Sequence, residues 1–342
     1  MMAGDELRAL ANNDELPLTE IIERSEQLVF DITRETIERT EVTLSDALGS
    51  VYDDIGRKLE GQVSYMPTGF KALDEAIGGL ERGTLTIVGG RPGMGKSSLC
   101  TAFGVNAARL GVRAYYISTE MPQQRIAYRI AAMETGISLT ALKHAQLTPD
   151  ELTRIVEAMG RMDAMPLRLD YVPAANPSQV RARVARLMRE TGLDLLIIDG
   201  LWQMTAPGKY DKDRILQLGY ISRVLVDMAK EFNIPVVLAH QLNRRPEERA
   251  DHRPVMSDLE YSGQLEQNAD VILMLYRDEV YNPTTDAANQ ADVIISKNRD
   301  GRTGVVSLYF EKQTAKFRDA TIRAINLSQR KSEPSESREV YQ

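Results

Sequence analysis

Eight consecutive residues, Gly90-Arg91-Pro92-Gly93-Met94-Gly95-Lys96-Ser97, match the pattern G-x-x-x-x-G-K-[ST] at every fixed position. The motif constrains the fold because it works only between a strand and a helix. Its flanks comply. Thr84-Leu-Thr-Ile-Val-Gly89 reads as a short buried strand, and residues 98–110 read as the helix that follows. The glycines let backbone N–H groups turn inward around a polyphosphate, and the helix N-terminus adds the positive end of its dipole. In such a loop Gly90 through Ser98 cradle the phosphates. Lys96 reaches the β- and γ-phosphates, and the Ser97 hydroxyl ligates Mg²⁺. The alternative is a glycine-rich turn that binds nothing, and the strand–loop–helix context disfavours it. The chain is expected to bind and hydrolyse a nucleoside triphosphate.

A chain of 342 residues with 43% hydrophobic content allows one large α/β domain plus an appendage. The single cysteine, Cys100, rules out an intrachain disulfide and fits a reducing compartment. No apolar run approaches membrane-spanning length, and the first thirty residues are acidic without a signal-peptide core. A cytoplasmic protein with no membrane partner is expected. The net charge of −7 looks wrong for a nucleic-acid binder, but its distribution changes that reading. Residues 1–60 carry 15 acids and 6 bases, and the remainder carries 34 acids and 36 bases. The acidity belongs to an N-terminal arm, which leaves the core free to hold a local basic path.

Residues 1–16 are polar and read as disordered. Pro17 precedes a helical stretch with Ile21, Ile22, Leu28, Val29 and Ile32 on one stripe. A second helix carries Leu44, Leu48, Val51, Ile55 and Leu59, with Thr43 and Asp46 as its N-cap signal. Residues 17–60 thus form a helical arm whose apolar faces must pack either on the core or on another subunit. From residue 61 to 327 strands and helices alternate. The strand candidates span 84–89, 113–118, 167–171, 193–199, 236–240, 271–276, 293–297 and 305–310. That alternation predicts an α/β fold with a mainly parallel central sheet covered on both faces. The last two strands, joined by Asp300-Gly301-Arg302-Thr303-Gly304, read as an antiparallel hairpin at the sheet edge. Residues 328–342 are polar and read as a disordered tail.

Further candidates sit at predicted strand ends. Leu193-Asp-Leu-Leu-Ile-Ile-Asp199 is an apolar run ending in a carboxylate. Beside a phosphate loop this suits the metal or its water. Glu120, in Ser118-Thr-Glu-Met121, is either a base for the attacking water or a first-turn helix acid. Gln241 follows the strand ending in His240 and could hydrogen-bond the γ-phosphate. His240 itself has no metal-ligand spacing around it, and the chain has three histidines. Lys297 and Arg299 follow another strand and point to one face. They form either a solvated edge or, in an oligomer, a finger reaching a neighbour's γ-phosphate.

Together these pieces resemble the bacterial replicative helicases, the DnaB-like family with a RecA-type motor. The likeness runs from about residue 17 to about residue 320 and keeps the order of the motifs. Beyond the phosphate loop it includes Leu195-Leu-Ile-Ile-Asp199, His240-Gln-Leu-Asn-Arg244 and Arg249-Ala-Asp-His-Arg-Pro-Val-Met-Ser-Asp-Leu259. It continues through Ser262-Gly-Gln-Leu-Glu-Gln-Asn-Ala-Asp270, Tyr276-Arg-Asp-Glu-Val-Tyr281 and Lys297-Asn-Arg-Asp-Gly301. The resemblance implies a RecA-like core in which Lys96, Ser97 and Asp199 bind MgATP. It implies Glu120 as catalytic base, Gln241 as γ-phosphate sensor, and Lys297 and Arg299 acting in trans. It further implies a ring-shaped homo-hexamer, with single-stranded DNA in its channel, held through a linker helix that the helical stretch after Pro17 matches and that docks on the neighbouring subunit. The DNA-facing segment would include Glu260, Tyr261, Ser262 and Gly263. A helicase loader and a primase are the further partners implied.

Three departures stand out. The family's large helical N-terminal domain has no counterpart before the motor, which bears on primase docking. Glu260-Tyr261 replaces the basic–acidic pair common in that loop. Asp199 is followed by Gly200-Leu201-Trp202 where the family usually has Tyr-Leu-Gln, which keeps the carboxylate and changes its support. Two other readings share part of the pattern: a RecA-like oligomeric ATPase that does not unwind, and an adaptor that uses ATP only to assemble. The first lacks a reason for the Asp258–Asp270 segment. The second has no use for a complete hydrolytic set.

Overall fold

The computed structural model describes residues 43–60, 65–206, 210, 213–259 and 262–320. The chain divides into two compact units, residues 1–64 and 65–342. In the first, α1 spans Leu44–Leu59. The Thr43 hydroxyl accepts the Asp46 N–H at 3.2 Å and donates to the Asp46 carboxylate at 2.6 Å, which makes the expected cap. Leu44, Leu48, Val51, Ile55 and Leu59 are all exposed. The helical stretch expected after Pro17, and the tails expected at 1–16 and 328–342, lie outside the described residues.

The second unit is built on a nine-stranded sheet. Its strands are β1 (Leu85–Gly90), β2 (Ala114–Ser118), β3 (Leu167–Tyr171), β4 (Leu195–Asp199), β5 (Val236–Gln241), β6 (Val271–Tyr276), β7 (Gln290–Asn298), β8 (Gly304–Glu311) and β9 (Lys316–Asp319). They lie in the order β3-β2-β4-β5-β1-β6-β7-β8-β9. The first six run parallel, and β6 through β9 pair antiparallel. The hairpin read from the sequence is β7–β8. It lies one strand in from the edge, because β9 pairs outside it. Its sequence, Lys316-Phe-Arg-Asp319, has one apolar residue among three charged ones, so it carries no strand signal.

The central strands are near-continuous apolar runs because helices cover both of their faces. One face packs α2 (Lys71–Ile77), α3 (Lys96–Arg109) and α4 (Gln123–Thr135) against Tyr116, Ile197 and Val237. Next along the chain come α5 (Leu139–His144) and α6 (Pro149–Asp163). The other face packs α7 (Pro177–Glu190), α8 (Arg214–Phe232) and α9 (Ser262–Asn268) against Ile117, Ile198 and Leu238. Alternate residues of one strand thus feed two cores. On α6, Leu152, Val156 and Met159 form a stripe that is exposed rather than packed. Among the described residues no helix is long and apolar enough to cross a membrane.

Candidate active site

Strands β2, β4, β5 and β1 are parallel neighbours, so their C-terminal ends open at one sheet edge. The residues leaving those ends line a single cleft of about 380 Å³. From β1 come Pro92, Gly93, Gly95, Lys96, Ser97 and Ser98. From β2 comes Glu120, while Asp199 ends β4 and Gln241 ends β5. The parallel sheet therefore brings together candidates that the sequence scatters from Pro92 to Gln241.

Gly93 and Gly95 adopt φ of +82° and +104°, and a Cβ on Gly95 would also lie 3.3 Å from Phe317. Only glycine takes both the dihedral and the space. Gly95 caps α3, whose free N–H groups face outward from its first turn. Lys96 Nζ donates to the carbonyls of Gly90 at 2.7 Å and Arg91 at 3.2 Å. Burial lowers the pKa of this ammonium, and Asp199 and then Glu120 oppose that shift.

Three residues of the motif are not lining residues of the cleft. Gly90 is the last residue of β1, paired with Gln241 and Leu275. Arg91 turns to Glu247, donating from Nε at 2.9 Å and Nη2 at 2.7 Å. Met94 is buried in the core. The side chains of Arg91 and Met94 therefore hold the loop in place.

Asp199 is 3% exposed, and the Tyr116 hydroxyl donates to its Oδ2 at 2.7 Å. Amides and an ammonium for phosphate oxygens stand with a serine hydroxyl and a carboxylate for a hard cation. That donor set fits a nucleoside triphosphate with Mg²⁺.

Sequence reasoning assigned no role to Arg129, Trp202, Arg277, Phe310 or Lys312, which also line the cleft. Arg277 is buried, donates to the Gly93 carbonyl at 3.2 Å, pairs with Glu279 and sits 4.2 Å above the Phe310 ring. It braces the phosphate loop. Arg129, on α4, has its Nη1 buried with no hydrogen-bond partner among the described residues. Nothing in the spacing separates it from the exposed Arg125 one turn earlier. A guanidinium nitrogen buried without a partner in this cleft is suited to an anion. Arg129→Gln is expected to weaken ATP binding about ten- to hundredfold, the cost of one charge-assisted hydrogen bond. The titration can follow the emission of Trp202, the chain's single tryptophan. Unchanged affinity places Arg129 outside the site.

Lys297 and Arg299 lie elsewhere. β7 runs antiparallel to β6, so its C-terminal end reaches the opposite sheet edge. Lys297 Nζ donates to the carbonyls of Glu266 and Ala269, both at 2.6 Å, and so caps the C-terminus of α9. Arg299 pairs with Asp270 at 3.0 Å and remains 62% exposed.

Of the segment expected to face DNA, Glu260 and Tyr261 lie outside the described residues. Ser262 opens α9, and Gly263 is exposed. Asp258 is fully buried, paired with Arg249, and accepts the Val255 N–H at 2.7 Å. It anchors the segment from inside.

Residues 65–319 match the family described as "DnaB-like helicase C terminal domain". Over 300 residues the chain is 32% identical to the replicative DNA helicase DnaB of Geobacillus stearothermophilus, covering 87% of this chain and 66% of that protein. The chain thus spans about two thirds of that relative's length. Among solved structures, one described as an ATPase domain superposes with a TM-score of 0.78 at 30% identity, covering 82% of this chain and 100% of that one. "The Structure Of A DnaB-Like Replicative Helicase And Its Interactions With Primase" gives 0.75 at 27%, covering 94% and 75% respectively.

Proposed function

The chain belongs to the DnaB-like helicase family, and from that premise we propose that it is an ATP-hydrolysing DNA helicase, working in the cytoplasm, that translocates on single-stranded DNA as a ring-shaped homo-hexamer. The observation that carries this reading is the meeting of Lys96, Ser97, Glu120, Asp199 and Gln241 in one cleft. Lys96 exchanges its two loop carbonyls for the β- and γ-phosphates of ATP. Glu120, exposed at the cleft wall, takes the proton of the attacking water. Gln241 hydrogen-bonds the γ-phosphate and registers its departure at the end of β5. Ser97 and Asp199 would hold Mg²⁺, which when bound neutralises charge on the phosphate oxygens.

Two apolar stripes support assembly. Leu44 to Leu59 on α1 and Leu152, Val156 and Met159 on α6 are both exposed. An apolar helix stripe left exposed in one copy needs another surface to cover it, and a further copy supplies one. Arg299 lies at the sheet edge away from its own cleft, and in this reading it serves the cleft of a neighbour. DNA contacts fall to the segment after Asp258, where backbone amides hold phosphates without reading sequence. A helicase loader and a primase are the further partners of this reading.

An ATP-dependent unwinding assay on forks carrying a 5′ or a 3′ tail tests it. Unwinding of one polarity is the expected result. DNA-stimulated hydrolysis without unwinding leaves a RecA-like ATPase, and neither activity overturns the reading. Affinity for single-stranded DNA is expected to fall linearly in log–log form with added salt and to depend little on base sequence. A salt-insensitive or sequence-selective complex, measured by fluorescence anisotropy, speaks against a translocating motor.

A further inference from the structure

We propose that Tyr116 is a positioning residue for divalent-cation binding, fixing the Asp199 carboxylate through a hydrogen bond that a phenylalanine at this place cannot make. The inference rests on the metal role of Asp199 proposed above.

The geometry comes from the pairing of β2 with β4. Tyr116 stands opposite Ile197, and Ser118 stands opposite Asp199. Residues 197 and 199 share a face of the sheet, so Asp199 is the diagonal neighbour of Tyr116 on the side covered by α3. Diagonal neighbours stand about 7–8 Å apart, within the span of a tyrosine. The last atom of that span is the hydroxyl. It lies 2.7 Å from Asp199 Oδ2, and the whole side chain is buried. This is a short bond between a fully buried hydroxyl and a carboxylate that is almost wholly buried at the floor of the cleft.

The main chain at the same point is held from β2 as well. The Thr119 N–H donates to the Asp199 carbonyl at 2.8 Å. The Thr119 hydroxyl donates to the Gly200 carbonyl at 2.7 Å and accepts the Gly200 N–H at 3.0 Å. Thr119 therefore fixes the backbone on both sides of the 199–200 peptide, and Tyr116 fixes the side chain. With one acceptor site of Oδ2 taken by the phenol, the carboxylate would offer a cation its remaining sites in a fixed orientation. Replacing a partner that orients a metal-binding group in this way costs roughly 10- to 100-fold in metal affinity.

The experiment compares the wild-type chain with Tyr116→Phe and Asp199→Asn. Binding of a fluorescent ATP analogue is titrated with MgCl₂ and repeated in EDTA. Tyr116→Phe is expected to raise the Mg²⁺ concentration for half-maximal binding about ten- to hundredfold, with affinity in EDTA unchanged. A role confined to packing leaves the Mg²⁺ requirement where it was. If Asp199→Asn shifts the requirement and Tyr116→Phe does not, this inference falls and the metal role of Asp199 stands. If neither shifts it, the metal role falls and takes the inference with it. Should Tyr116→Phe fail to fold, the double variant with Asp199→Asn removes both partners and avoids a stranded buried charge. Its Mg²⁺ requirement is expected to equal that of Asp199→Asn alone, and a further rise overturns the proposal.

Discussion

Lys96→Ala is expected to fold, to lose ATP hydrolysis and, with it, any unwinding. In the chain as it stands, Lys96 Nζ donates to the Gly90 and Arg91 carbonyls. Removing it leaves two carbonyls at the rim of a cleft, where water can take the ammonium's place. The core beneath the loop, with Met94, Leu99 and Phe103, is untouched. The phosphates fare differently. Backbone amides can surround them, but in this reading the full positive charge at the β/γ bridge is Lys96, half-buried in the cleft, where Coulomb terms exceed those in open water. Losing one preorganised group at a developing charge costs roughly 10²- to 10³-fold in rate. Phosphate release by the purified variant, with its melting temperature as a control, reads this out. Wild-type turnover in a folded Lys96→Ala protein removes the nucleotide-site assignment.

Arg299→Ala is expected to bind ATP and to assemble, yet to lose about 10³- to 10⁵-fold in hydrolysis, the effect of an arginine finger in other NTPases. The guanidinium lies at the sheet edge opposite its own cleft, so that loss arises only if the residue acts on a neighbour. Its present partner is Asp270 at 3.0 Å, and the side chain is 62% exposed, so screening keeps that pair weak and the swing outward easy. Lys297, tied by two 2.6 Å bonds to the end of α9, is the less free of the two cations. The decisive measurement mixes Arg299→Ala subunits with Glu120→Gln subunits. Each alone is nearly inactive. In the mixture some interfaces pair an intact Glu120 with an intact Arg299, and partial activity returns. An Arg299→Ala protein that hydrolyses ATP at the wild-type rate on single-stranded DNA rules out the trans finger.

The order of residues alone was enough for the phosphate loop, the α/β alternation, the strand that ends on Asp199 and the capped helix α1. Each of these is local information. A glycine spacing, a period of two or of 3.6, and an apolar run closed by a carboxylate are all short-range patterns, where chain geometry forces sequence and conformation to agree. Other features came only with the folded chain. Folding chose the order β3-β2-β4-β5-β1 and added the edge strand β9. It turned Arg91 and Met94 into supports for the loop, and it separated Arg129 in the cleft from Arg125 at the surface. It set Tyr116 against Asp199, 83 residues away. One cause runs through the strand order β3-β2-β4-β5-β1 and the contact of Tyr116 with Asp199. A parallel sheet pairs strands across helical crossovers, so its neighbours are chosen by how whole helices pack on whole faces. A contact made that way leaves no mark in the spacing of either partner.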